Sequence, residues 1–136
     1  MQRSGIALSG AEDTWRGITD SPDNNDGIVT AAEVAEFDLK GTGLVALSAC
    51  ETALGDFSFE GVFGLQRGFK QAGVQSLLVS LWSVNDDSTS LFMTKFYESL
   101  LAGHSRQQSW RDAVTSVREK FPEPYHWAPF ILLDGI

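Results

Sequence analysis

The chain has 136 residues, with 10 lysines and arginines against 18 aspartates and glutamates, a formal net charge of −8. That length suits one domain with a real core rather than two, and 43% hydrophobic with 21% charged residues is a globular composition. Such acidity excludes wrapping of phosphate backbones and docking on anionic lipid, so neither nucleic acid nor membrane is expected as a partner.

The first weak apolar patch, Gly5–Ser9, is compatible with a strand or the end of one. Gly10–Pro22 reads as loop, and positions 10–29 together read as an acidic loop insertion. Pro22–Glu33 (PDNNDGIVTAAE) resembles a calcium loop when aligned on Gly27, with Asn24, Asp26, Thr30 and Glu33 at ligand positions. Pro22, however, occupies the first position, where the pattern requires a carboxylate. The alternative is a turn leading into a helix capped by Thr30 with Glu33 as its partner, and this is the preferred reading.

Three short apolar runs then read as buried strands: Leu44–Ser48, Ser76–Trp82 and Pro129–Leu133. Their near-continuous apolarity suits a parallel sheet covered on both faces. Between the first two, Glu60–Ala72 is expected to be helical, with Val62, Leu65 and Phe69 on one face and Gly73 as its stop. Asp87–Ala102 is expected to be a well-buried helix, because Phe92, Phe96 and Leu100, and again Met93, Tyr97 and Leu101, recur every four residues. Gly103 ends it. Ser105 and Gln108 form a capping box for Arg106–Lys120, whose inner face would carry Trp110, Val114 and Val117. Pro122 and Pro124 break the chain before the last strand. Strand–helix–strand–helix–helix–strand is the order of an α/β sandwich. The aromatics Trp82, Phe92, Phe96, Trp110, Trp127 and Phe130 are expected in its core.

The acidity is local. Residues 1–60 hold eleven acids against three bases, whereas residues 61–136 hold seven of each. A solvated acidic loop is the plain reading. The N-terminus lacks the apolar core of a signal peptide, and no run reaches the roughly 18 apolar residues of a membrane helix. A cytoplasmic location is therefore expected. The chain holds a single cysteine, so no internal disulfide can form.

That cysteine, Cys50, follows the strand LVALS directly. Ligands of open α/β sheets gather beyond the carboxyl ends of strands. A thiol there can be deprotonated by a neighbouring base and attack a carbonyl, while backbone amides stabilise the oxyanion. On position alone it could equally be a small buried hydrophobe. Gly61, Gly64 and Gly68 do not have dinucleotide-loop spacing, and no phosphate loop, GxSxG, HExxH or paired-cysteine zinc spacing occurs. No cofactor or metal is implied.

The segments LVALSACETALGD, EGVFGLQRGFKQAGVQSLLVSLWSVNDDST, FMTKFYESLLAG and HWAPFILLDG, with SGIALSGAEDTW and DGIVTAAEV upstream, together resemble the CHAT domains, caspase-like cysteine peptidase domains related to separases. The resemblance runs over nearly the whole chain, so residues 1–136 are expected to form part of such a domain. It implies a three-layer caspase-like sandwich with a mainly parallel sheet, and a protein or peptide substrate cleaved by a Cys–His dyad with Cys50 as nucleophile. It also implies a setting in longer, commonly bacterial chains beside helical repeats that act as sensors. The family's histidine lies upstream in a His-Gly motif, but residues 1–49 contain no histidine. The chain thus reads as an N-terminally truncated domain, and a truncated sheet would leave an edge that invites self-association. His104 and His126 are poor substitutes, since neither comes from the strand adjoining the nucleophile.

Asp86, just after the second strand, matches the family's aspartate. It could receive a basic side chain at the cleavage position; alternatively Asp86 or Asp87 caps the next helix. Glu51, beside the nucleophile, either orients the site or is solvated loop. The two functional readings are a cysteine endopeptidase domain and a catalytically inactive module used for interaction.

Overall fold

Strand Ser76–Ser80 (β4) is the middle strand of a three-stranded sheet, paired on both sides. Leu77 and Leu78 are both fully buried, on opposite faces. The computed structural model describes residues 5–9, 11–17, 26–47 and 59–135, and the chain divides into two units, Met1–Thr42 with Glu51–Val74, and Gly43–Cys50 with Gln75–Ile136.

In the first unit, β1 (Gly5–Ala7) pairs antiparallel with β2 (Ile28–Thr30), Ile6 opposite Val29. Ala11–Trp15 is a helix, α1, where loop was expected. Five residues are too few for periodicity to register, yet Ala11 is buried. Thr30 caps α2 (Ala31–Val34) in the expected box. Its Oγ1 accepts from the Glu33 amide at 3.2 Å, while Glu33 Oε2 accepts from the Thr30 amide at 2.7 Å. Asp26 Oδ1 accepts from the Ile28 amide at 2.9 Å. Asp26, Thr30 and Glu33 are thus committed to shaping the turn and the helix start, and Asn24 lies outside the described residues. Helix α3 (Phe59–Ala72) buries Leu65, Phe69 and Ala72 and ends at Gly73, whose φ of +100° favours a residue without Cβ. A Cβ on Gly68 would stand 2.5 Å from the Ala31 carbonyl oxygen, so this glycine permits the close approach of α2 and α3.

In the second unit, β3 (Leu44–Leu47) runs parallel to β4, with Leu47 opposite Val79. Helices α4 (Asp86–Leu101) and α5 (Arg106–Lys120) follow as a hairpin, then the short α6 (Pro124–Trp127) and β5 (Phe130–Asp134). The sheet order is β3-β4-β5, and β5 is antiparallel to β4. This corrects the expectation of a mainly parallel sheet: two helices, each reversing the chain, bring it back to β4 in the opposite sense. The fold is mixed α/β. Phe92, Phe96, Ala113, Val117, Leu78, Val84 and Phe130 form one core, with the rings of Phe92 and Phe130 stacked 4.1 Å apart. Trp82, Trp110 and Trp127 pack partly buried against it.

The helix faces differ slightly from those read in the sequence. Of the two apolar rows on α4, Phe92 and Phe96 point inward, while Tyr97 and Leu101 are exposed, Leu101 by 86%. On α5 Val117 is fully buried as expected, Ser109 and Ala113 complete the deepest row, and Trp110 and Val114 pack partly buried against the same core. Ser105 caps α5 by accepting from the Gln108 amide at 3.2 Å, but the Gln108 side chain turns to Asp112 instead of closing the box. Among the described residues, no helix is long and apolar enough to cross a membrane.

Candidate functional site

Parallel pairing of β3 with β4 places their carboxyl ends on one edge. Leu47, the last residue of β3, pairs with Val79, and the chain leaves β4 one residue later. Cys50 and Glu51 follow β3 in sequence and lie outside the described residues. Beyond β4, residues 81–85 lead to Asp86 at the first position of α4.

The cap of α4 is Asn85, neither Asp86 nor Asp87. Asn85 Oδ1 accepts from the Ser88 amide at 3.0 Å. An aspartate cap was one of the two readings of the sequence, and here the preceding asparagine takes that role because its backbone is extended (φ −64°, ψ 156°), as a cap requires. The Asp86 side chain is exposed and makes no hydrogen bond or ion pair among the described residues. It sits at the first position of a sixteen-residue helix.

The loop before Asp86 is held from outside by α6. Tyr125 Oη donates to the Ser83 carbonyl at 2.6 Å, and Trp82 Nε1 donates to the Tyr125 carbonyl at 3.1 Å. Leu81 N donates to the Pro129 carbonyl at 3.0 Å, and Ser80 Oγ to the Trp82 carbonyl at 2.7 Å. Ser88 Oγ, fully buried in the first turn of α4, lies 2.9 Å from His126 Nδ1. The His126 ring packs against Phe121 and edge-on to Tyr125. These contacts were not legible in the sequence; the only signal was a proline at a helix start followed by three aromatic rings.

His104 is the other candidate base. Its Nδ1 lies 2.9 Å from Ser99 Oγ and 3.7 Å from Asp112 Oδ2, at the turn between α4 and α5. Ser99 also donates to Asp112 at 2.6 Å. Hydrogen bonds from Ser99 and then Gln108 hold the Asp112 carboxyl below the usual aspartate range, with a smaller contribution from His104. Both histidines are therefore tied to buried serines of α4. Among the described residues, no group of three histidine, cysteine, aspartate or glutamate side chains gathers that could hold a metal ion.

Comparison with known proteins gives the lineage. Residues 1–135 match the CHAT domain. The chain belongs to the CHAT domain family. It is 35% identical over 120 residues to tetratricopeptide repeat protein 28 of Mus musculus, and 34% identical over the same length to that of Homo sapiens. Each match covers 87% of the chain and 5% of the relative, so the chain spans a small part of the length of these curated relatives. Both relatives are mammalian and lend no support to the bacterial setting that the resemblance suggested. No solved structure matches.

Proposed function

We propose that this CHAT domain is a cysteine-type endopeptidase unit acting on a protein or peptide substrate in the cytoplasm. In this reading Cys50 is the nucleophile. A histidine that is not among residues 1–49 takes the thiol proton, the thiolate attacks the scissile carbonyl, and backbone amides stabilise the oxyanion. The adduct then collapses with cleavage of the C–N bond, the amine leaves with the proton from the histidine, and water hydrolyses the acyl–Cys50 thioester. Asp86 receives a basic side chain at the cleavage position, and Glu51 orients the nucleophile loop. The observation that supports the reading best is Asn85 as the cap of α4: it leaves the Asp86 carboxylate uncommitted at the β4 end of the parallel pair. The names of the relatives support a setting beside tetratricopeptide repeats, which would present substrate or sense a signal.

The second reading is an interaction module without catalysis. It is favoured by the binding of His104 and His126 to Ser99 and Ser88, which leaves neither imidazole Nδ1 free.

An electrophilic peptide probe separates the two. A chloromethyl ketone carrying arginine should label Cys50 faster than free cysteine and faster than its leucine counterpart, and Asp86→Asn should remove the arginine preference alone. Labelling of Cys50 at the rate of free cysteine, with no preference, would leave the interaction module as the function.

A further inference from the structure

Strand β5 carries an unused hydrogen-bonding edge. In an antiparallel ladder, directly opposed residues alternate between pairs that exchange hydrogen bonds and pairs that do not. Gly135 N donates to the Gln75 carbonyl at 3.1 Å and Leu81 N to the Pro129 carbonyl at 3.0 Å, which fixes the phase. Leu133 opposite Leu77 and Ile131 opposite Val79 are then the bonded pairs. The backbone groups of Phe130, Leu132 and Asp134 point away from β4. Among the described residues no strand lies on that side. The Phe130 carbonyl is satisfied there by Trp110 Nε1 at 3.0 Å. The backbone N–H and C=O groups of Leu132 and Asp134 have no partner among the described residues.

A groove of about 300 Å³ runs beside this edge, lined by Gln107, Trp110 and Arg111 of α5 and by Leu132 and Asp134 of β5. Trp110 and Leu132 give it an apolar wall. Its charges are unequally committed. Asp134 accepts from the Ser76 hydroxyl, lies 3.7 Å from Arg106 and accepts from Gln107 at 3.4 Å. Arg111 is exposed and has no ion pair or hydrogen bond among the described residues. The groove therefore offers one uncommitted cation next to two free backbone positions, in a chain whose net charge is −8.

We propose that the β5 edge and this groove dock an extended acidic segment of a partner protein, which adds as a further strand. Its backbone pairs with Leu132 and Asp134. One carboxylate side chain meets Arg111 in a charge-assisted contact, and an apolar side chain covers Trp110 and Leu132. Strand addition takes affinity from the main chain and specificity from alternate side chains, and an exposed strand edge is a template for such pairing.

The test uses the full chain and the peptide acetyl-Thr-Glu-Val-Glu-Val-Thr-amide, followed by amide hydrogen exchange and titration. Binding should slow exchange at Leu132 and Asp134 and leave Ile131 and Leu133, already bonded to β4, unchanged. Arg111→Glu, on an exposed site that spares the core, should weaken the peptide about tenfold and favour a lysine-for-glutamate version. N-methylation of the peptide's pairing amides should abolish binding. Uniform protection across β5, equal affinity for the glutamate and lysine peptides, or no binding at millimolar peptide would overturn the proposal. So would a dimer by light scattering that protects Leu132 and Asp134 without peptide, because a second copy would then be the occupant.

Discussion

Ser88 Oγ and His126 Nδ1 meet 2.9 Å apart and join the first turn of α4 to α6, thirty-eight residues further along the chain. Ser88 is fully buried, so its hydroxyl has no access to water in exchange. Ser88→Ala is expected to cost about 1 kcal/mol, and His126→Ala about 2–3 kcal/mol because ring packing against Phe121 is lost as well. Denaturant titration of both variants and their combination should give a coupling of about 1 kcal/mol. Strict additivity would remove the joint between these elements.

Gly68→Ala places a methyl group 2.5 Å from the Ala31 carbonyl oxygen. That neighbour is backbone, so α2 and α3 must move apart. The expected loss is about 1–3 kcal/mol, despite alanine's better helix propensity. A chemical-denaturation midpoint equal to or above that of the parent chain would show that the two helices do not pack this closely.

Asp112 should contribute to the acid limb of stability. Its folded-state carboxyl titrates below the ordinary value of 3.8, chiefly through the hydrogen bond from Ser99. A lowered folded value means that the contribution is full well above the ordinary value and is lost as pH falls through the folded one. Asp112→Asn should therefore be less stable than the parent near neutral pH, and the difference should shrink as pH falls through the lowered folded-state value. A pH-independent difference, measured by urea unfolding at several pH values, would count against this.

Ser109 has a fully buried hydroxyl without a hydrogen-bond partner among the described residues. Alanine removes that unsatisfied group and is the better helix former, so Ser109→Ala should stabilise the protein by about 1 kcal/mol. Thermal melting decides it. A fall in the midpoint would mean that the hydroxyl has a partner after all.

The long elements were legible because their signals are dense. Phe92 and Phe96 repeat at helical spacing, Gly73 and Gly103 mark helix ends with φ of +100° and +93°, and the apolar run at Ser76–Ser80 is buried on both faces. What the sequence concealed depends on pairing between distant residues. The reversal of β5 follows from the number of helices in its crossover rather than from any property of PFILL. Helix α1 is too short to show a period. At the candidate site, the sequence placed Asp86 beyond β4 but could not choose between cap and receptor. The cap went to Asn85 through its extended backbone, which composition does not report, and the receptor role of Asp86 is a proposal. Cys50 and Glu51 lie outside the described residues, so the role of Cys50 rests on its place after β3 in sequence and on the family resemblance, and that of Glu51 on its adjacency to Cys50.

The α4–α5 hairpin also bears on the order of folding. Its contacts join residues close in sequence, across a turn of four residues from Ala102 to Ser105. The β3–β4 pair must instead close a loop from Leu47 to Ser76. Loop closure costs entropy before distant contacts repay it. The helical hairpin is thus expected to form early, carrying β5 towards β4, with the parallel β3–β4 pair, and the edge that would carry the nucleophile, completed late.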